Sequence, residues 1–231
     1  EMLKTAFKNK YSTLVILSNV FYMLNAGLMG STLVYYFRYN VGNDNLMGLY
    51  STALMVGMLV CIPLMGLIAR KLGNVKSVLL GAALCFMAGI PRIITGDKSI
   101  VVFFICIVLM GFGSGLIANM MRQCRNDAAT YSQLQGVDIS GALCSLYSFS
   151  QKLGQAVSSI IAAGLLAAVD YTPGETPDAA TLDLFFAENL LIPIATVVAV
   201  VAFLIPVIRM EKKLVKDIAE KENTTHESEC I

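Results

Sequence analysis

Ser148, Gln151, Lys152 and Gln155 lie within two helical turns of one another in an otherwise apolar stretch, offering a hydroxyl, two amides and an ammonium. On a helix, residues three and four apart share a face, so these groups form one hydrogen-bonding surface. Lys152 is the only basic residue set so deep in an apolar run. Placing an ammonium at bilayer mid-depth costs about 2.5–3.5 kcal/mol on insertion scales, so a charge kept there faces a wet cavity or a paired anion. No acid lies at matching depth in the neighbouring apolar runs. The partner is therefore water, a ligand or a group outside this chain. Two chemistries fit: multipoint hydrogen bonding to a polyhydroxylated solute, or nucleophilic attack by a Ser148–Lys152 dyad spaced i, i+4. The stripe is longer and richer in hydroxyls than a closed catalytic pocket needs, so no enzyme is expected.

At about 100° per residue, Gly141, Cys144, Ser145, Tyr147, Ser148, Gln151, Lys152, Gln155, Ser158 and Ser159 project to one side, and Leu143, Leu146, Phe149, Leu153, Val157, Ile160 and Ile161 to the other. The first set is expected to face a polar interior and the second lipid. An earlier run repeats the pattern: Ser18, Tyr22, Asn25, Met29, Thr32 and Tyr36 follow a 4-3-4-3-4 spacing. Tyr22 and Asn25 join Tyr147, Ser148, Gln151, Lys152 and Gln155 as candidate solute-binding residues. Ser145, Ser158, Ser159 and Thr32 read instead as hydrogen-bonding glue between membrane helices.

The elements that carry these stripes are transmembrane helices. Hydrophobic residues make up 56% of the 231 and charged residues 14%, against about 25% charged in a soluble domain. Six runs have the roughly 20-residue length that a helix needs to cross a bilayer: 13–36, 46–69, 75–95, 100–121, 141–169 and 189–208. Residues 1–12 and 209–231 form polar ends. Of the 17 Lys and Arg, all but Arg38, Arg92, Lys98 and the buried Lys152 fall on the side that holds both ends. The positive-inside rule makes that side cytoplasmic. The opposite loop, with Asp170, Glu175, Asp178, Asp183 and Glu188, contains no base, and its segment 170–178 has the Pro and Gly punctuation of an exposed turn. A near-neutral net charge and the lack of any basic run interleaved with aromatics exclude nucleic acid as a partner. The first apolar run is too long for a signal peptide and has no small-residue cleavage site.

At the cytoplasmic end of the fourth run, Arg122, Arg125, Asp127 and Tyr131 cluster, and a salt bridge from Asp127 to the arginines would close a gate there. Exposed pairs contribute about 0–1 kcal/mol, so such a gate opens readily. Arg70 and Lys71, in the turn after the second run, belong to the same candidate gate. Gly111 and Gly115 sit inside an apolar helix without a preceding strand, so they signal close helix packing and not a phosphate loop. The six cysteines form no Cys-x-x-Cys pair and the single histidine, His226, lies in the polar tail. Neither a disulfide framework nor a metal site is expected.

Gly66-Leu-Ile-Ala-Arg-Lys-Leu-Gly73 resembles the Gly-x-x-x-Asp-Arg-x-Gly turn of the major facilitator superfamily, in the copy that joins its eighth and ninth helices, with Arg70 in place of the acid. Asn126-Asp-Ala-Ala-Thr-Tyr-Ser-Gln-Leu-Gln135, followed by Ser145-Leu-Tyr-Ser-Phe-Ser-Gln-Lys-Leu-Gly154, is similar to the tenth-to-eleventh-helix region of the glycoside–pentoside–hexuronide:cation symporters, the group that contains the melibiose carrier. Leu33-Val-Tyr-Tyr-Phe-Arg-Tyr39 and Asp170-Tyr-Thr-Pro173 fit the same family. The resemblance implies an all-α membrane protein whose six helices are the carboxyl-terminal half, helices seven to twelve, of a sugar or glycoside symporter in the cell membrane. It implies a six-helix amino-terminal half and the lipid bilayer as partners. It also implies a coupling sodium ion or proton bound mainly by carboxylates outside this chain, and no other cofactor. Lys152 matches the family's lysine near the sugar and cation sites, and Asp127 and Tyr131 match acidic and aromatic positions of its Asp-x-x-Asp-Tyr-Gly-Glu stretch. Thr130 and Ser132-Gln133 depart from that stretch, and Ala118 replaces a tryptophan. The chain opens on Glu1, which fits a piece of something longer; a non-transporting half-protein or assembly subunit is the other reading.

Overall fold

The computed structural model describes residues 10–43, 45–95, 100–134, 136–169 and 178–187, together with 198, 200–202, 204–208 and 216. The described residues form helices: α1 (Lys10–Tyr35), α2 (Asn45–Leu72), α3 (Asn74–Thr95), α4 (Ile100–Leu134), α5 (Ser140–Ala168) and the short α6 (Ala179–Phe186). A π-helical stretch, Tyr36–Val41, continues α1. Most of the expected sixth run, and most of the two polar ends, lie outside the described residues. Lys10–Val41, Asn45–Leu72 and Val101–Thr130 are long and apolar enough to cross a membrane, and Asn74–Ile90 is a shorter apolar stretch. Among the described residues the chain is all-helical.

Glycine sets the breaks. Gly42, Gly73 and Gly136 have φ of 73°, 86° and 81°, a left-handed conformation that only glycine adopts without penalty. The expected fourth run stopped at Met121, yet α4 continues to Leu134 because nothing in Arg122–Leu134 breaks a helix. It ends where Gly136 N–H donates to Gln133 O (2.9 Å) and Val137 N–H to Ser132 O (3.1 Å), the paired bonds of a Schellman cap. At 1.5 Å per residue, α4 is about 52 Å long. Its last turns therefore project beyond roughly 30 Å of hydrocarbon.

Close packing divides the helices into two units. In one, α4 packs against α2 and α3. An added methyl at Gly111 would collide with the Leu54 carbonyl, one at Gly57 with the Val108 carbonyl, and one at Gly81 would lie 2.6 Å from the Gly113 carbonyl oxygen. Backbones thus touch at these crossings. Gly111 and Gly115 both face α2, as the glycine spacing predicts. In the other unit, α1 packs along α5. Contact between α4 and the α1–α5 pair is thinner. It is filled on one side by a core that includes Tyr11, Val15, Ile117, Met120, Met121, Ile139 and Leu143.

At the other end of α1, Tyr36, Phe37, Tyr50, Phe103 and Ile107 form a second core. The connection before the sixth run contains the short α6, and the exposed turn expected at 170–178 lies, apart from Asp178, outside the described residues. α6 places Phe185, which is 0% exposed, parallel to Tyr35 and Tyr39 at centroid distances of 5.4 and 6.0 Å. Asn40 Nδ2 donates to Leu182 O at 3.1 Å. Asp170, Glu175 and Glu188 lie outside the described residues.

Candidate functional site

α5 has three faces about a third of a turn apart, as its 100° increments dictate. Leu143, Tyr147, Ser150, Gly154, Ser158 and Ala162 are buried. Phe149 (64% exposed), Leu153 and Ile160 (72% exposed) form an uncovered apolar face. Gly141, Ser145, Ser148, Lys152, Gln155 and Ser159 form an uncovered polar face, with Cys144 exposed and Gln151 half-buried beside it. Two-sided projection therefore missed the seam with α1. Tyr147 and Ser158, expected on the polar face, are buried there, and so is Leu143, expected in lipid. Small side chains explain the burial, because a methyl at Gly154 would meet Val20 O at 2.6 Å, while one at Gly27 would collide with the Ser158 hydroxyl.

Lys152 lies 12 residues into α5, about 18 Å along its axis. Its carbon stem extends the ammonium only part of the way to the helix start. Ser148 and Lys152 lie one turn apart on this exposed polar face. The hydroxyls of Ser145, Ser158 and Ser159 donate to carbonyls of their own helix, Gly141 O (2.9 Å), Gln155 O (2.7 Å) and Gln155 O (3.1 Å). They do not bridge helices as expected.

The α1 stripe turns into the bundle instead of lining an open path. Ser18, Asn25 and Tyr36 are buried, and Ser18 donates to Leu14 O at 2.8 Å. Tyr22 Oη donates to Ser114 O on α4 at 3.2 Å, linking the two packing units. The side chain of Thr32 lies outside the described residues. Asn19 and Ser150 carried no signal in either stripe, yet Asn19 Nδ2 donates to Ser150 Oγ at 2.6 Å across the α1–α5 seam. Small polar residues at adjoining buried positions are the only sequence cue for that pair.

At the end of α4, the expected salt bridge is replaced. Asp127 Oδ2 accepts from Asn74 Nδ2 at 2.7 Å, tying α4 to the start of α3. Arg125 donates to the Asn126 side-chain oxygen at 2.9 Å, and its guanidinium lies 5.0 Å from the centre of the Tyr147 ring. That distance is within the range of a cation–π attraction. Arg125 is engaged by Asn126 and Tyr147, and the Asn74 amide satisfies the Asp127 carboxylate without the desolvation of a second charge. Arg122, Arg70 and Lys71 are exposed, and the side chain of Tyr131 lies outside the described residues. No group of three or more His, Cys, Asp or Glu that could hold a metal ion occurs among the described residues.

A family model described as MFS/sugar transport protein matches residues 1–209. The chain belongs to that family. Among curated relatives, an isoprimeverose transporter of Lactiplantibacillus pentosus is 25% identical over 228 residues, 95% of this chain and 46% of the relative. A glucuronide carrier protein homolog of Escherichia coli (strain K12) is 25% identical over 183 residues, 76% of this chain and 39% of the relative. This member of the family thus spans less than half the length of either relative. The symporter resemblance drawn from Lys152 and the Asn126–Gln135 stretch agrees with that membership.

Proposed function

We propose that this chain is the carboxyl-terminal, six-helix half of a secondary active transporter that moves a sugar or glycoside by alternating access, in symport with a sodium ion or proton. Its two ends are cytoplasmic and it works in the cell membrane beside an amino-terminal half. The polar face of α5 carries the reading. A helix whose neighbouring exposed face presents Phe149, Leu153 and Ile160 to lipid leaves Ser145, Ser148, Lys152 and Gln155 uncovered, and in hydrocarbon those groups need water, solute or a facing protein surface. Substrate sites of such carriers lie near the midplane between halves, and the position of Lys152 and Gln151 near the middle of α5 supports that reading.

In this mechanism Ser148, Gln151, Lys152 and Gln155 exchange hydrogen bonds with solute hydroxyls. Asn25 and Tyr22 on α1, and Tyr147 on the buried face of α5, support the wall from behind. The Asp127–Asn74 bond, Arg125 on Tyr147, and Arg122, Arg70, Lys71 and Tyr131 form the cytoplasmic gate. The coupling cation binds mainly to carboxylates outside this chain. The relatives' names support a sugar or glycoside substrate: one is an isoprimeverose transporter and the other a glucuronide carrier homolog.

Lys152→Ala and Gln151→Ala in the complete transporter test the reading. Losing a hydrogen bond to a charged group removes about 1.5–3 kcal/mol, so Lys152→Ala should lower sugar uptake by roughly tenfold or more at unchanged surface expression. Gln151→Ala should have a smaller effect in the same direction. Normal uptake in both variants removes them from the site.

A further inference from the structure

Asn19 is 0% exposed and lies on α1 opposite the buried face of α5. Its Nδ2 donates to Ser150 Oγ at 2.6 Å and lies 3.5 Å from Tyr147 O. Ser150 Oγ in turn donates to Tyr147 O at 2.7 Å. The rest of that seam is built from small residues. Gly154 packs against Val20 and Met23, and Gly27 against Ser158. Such a seam brings backbones together but has few knobs to resist rotation of one helix about its own axis. A short, buried, directional bond supplies what the small residues lack.

We propose that Asn19 is a positioning residue for transport: by holding Ser150 against α1, it fixes the rotation of α5 that presents Ser148, Lys152 and Gln155 to the solute path. This rests on the proposed path along α5. Ser150 and Lys152 are two residues apart, so they point about 160° away from each other, and pinning one inward sets the other outward. A rotation of about 100° carries Phe149 into the place of Ser148 and turns Lys152 into the α1 seam, away from the solute path. The same chain of contacts runs on to the cytoplasmic end of α4, because the Tyr147 ring lies beneath the Arg125 guanidinium at 5.0 Å. Rotation of α5 thereby disturbs the gate as well as the wall.

The test uses the complete transporter with its native cysteines replaced and single cysteines introduced at Ser148, Gln155, Phe149 or Ile160. Labelling by a water-soluble maleimide is compared with Asn19 intact, in Asn19→Leu, in Ser150→Ala and in the double variant. With Asn19 intact, cysteines at 148 and 155 should label at least about tenfold faster than those at 149 and 160, the contrast between wet and lipid-facing surfaces. In Asn19→Leu and in Ser150→Ala that contrast should collapse, and KM for sugar should rise roughly tenfold, as for the loss of one buried hydrogen bond. The double variant should be no worse than either single variant, since both remove one bond. Ser150→Ala makes only a small change in volume and keeps the test readable if Asn19→Leu does not fold. A contrast retained in Ser150→Ala overturns the positioning role while leaving the path intact. If the two faces label alike with Asn19 present, the path itself is wrong, and the role falls with it.

Discussion

Asp138 shows how a residue outside the spans sets where a helix begins. Its Oδ1 accepts from the Ser140 hydroxyl (2.6 Å), the Ser140 N–H (2.9 Å) and Gln133 Nε2 (3.4 Å). These bonds hold its carboxyl below the usual carboxylate range, the Ser140 hydroxyl contributing most. A carboxylate with a depressed folded-state pKa stabilises above its unfolded value, near 3.9, and loses that contribution as pH falls through the folded value. Asp138→Ala should therefore lower Tm in detergent at neutral pH, and the difference from the parent protein should shrink as pH falls below about 3.9. A constant difference across that range would mean that Asp138 acts through something other than its charge. The residue is fully exposed, so the effect should be small beside those at the seams. Lys152 differs in kind: it is exposed on α5, and its weight in the proposed transporter comes from a charge placed in an otherwise apolar run, to which the proposed loss of uptake in Lys152→Ala belongs.

Between helices, glycine controls approach. A methyl at Gly154 would lie 2.6 Å from Val20 O and 2.8 Å from Met23 Cβ, and the backbone oxygen cannot swing away as a side chain would. Gly154→Ala should thus destabilise the α1–α5 pair by about 1–3 kcal/mol, read as a lower Tm of the purified protein. Gly164→Ala, at a position with open space around it, is the control and should be near neutral; equal effects at both would remove packing as the cause. The sequence shows the existence and order of α1 to α5 well, because long apolar runs have few alternatives. It shows the faces less well. Projection separates polar from apolar, but Ser150, Gly154 and Ser158 are buried because they are small, and size is invisible to a hydropathy pattern. The same limit hid Asn19, whose amide looks like any other polar interruption. α4 ran on past Met121 because the run was judged by apolarity, whereas the helix stops only at Gly136. The expected Asp127–arginine pairing overlooked Asn74, since that contact depends on how α3 leaves Gly73 and not on neighbours in the chain.

The bundle as a whole consists of two closely packed units, α2–α4–α3 and α1–α5, joined by longer side chains such as Tyr22, Met120 and Met121. Methionines fill irregular gaps and adapt to changed neighbours, so this joint is the softer one. The polar face of α5 belongs to the smaller unit and is left uncovered by the described helices. In the proposed transporter, a facing half with water between would satisfy Ser148, Lys152 and Gln155, and lipid would cover the exposed Phe149, Leu153 and Ile160. The most direct measurement is the labelling of a cysteine at Ser148, with Lys152 intact, in the complete transporter, with and without saturating sugar drawn from a panel of glycosides. The expected result is rapid reaction with a membrane-impermeant maleimide, slowed by at least one of the sugars. A cysteine at 148 as unreactive as one at Phe149, or one whose reaction no sugar in the panel slows, would contradict a solute path along α5.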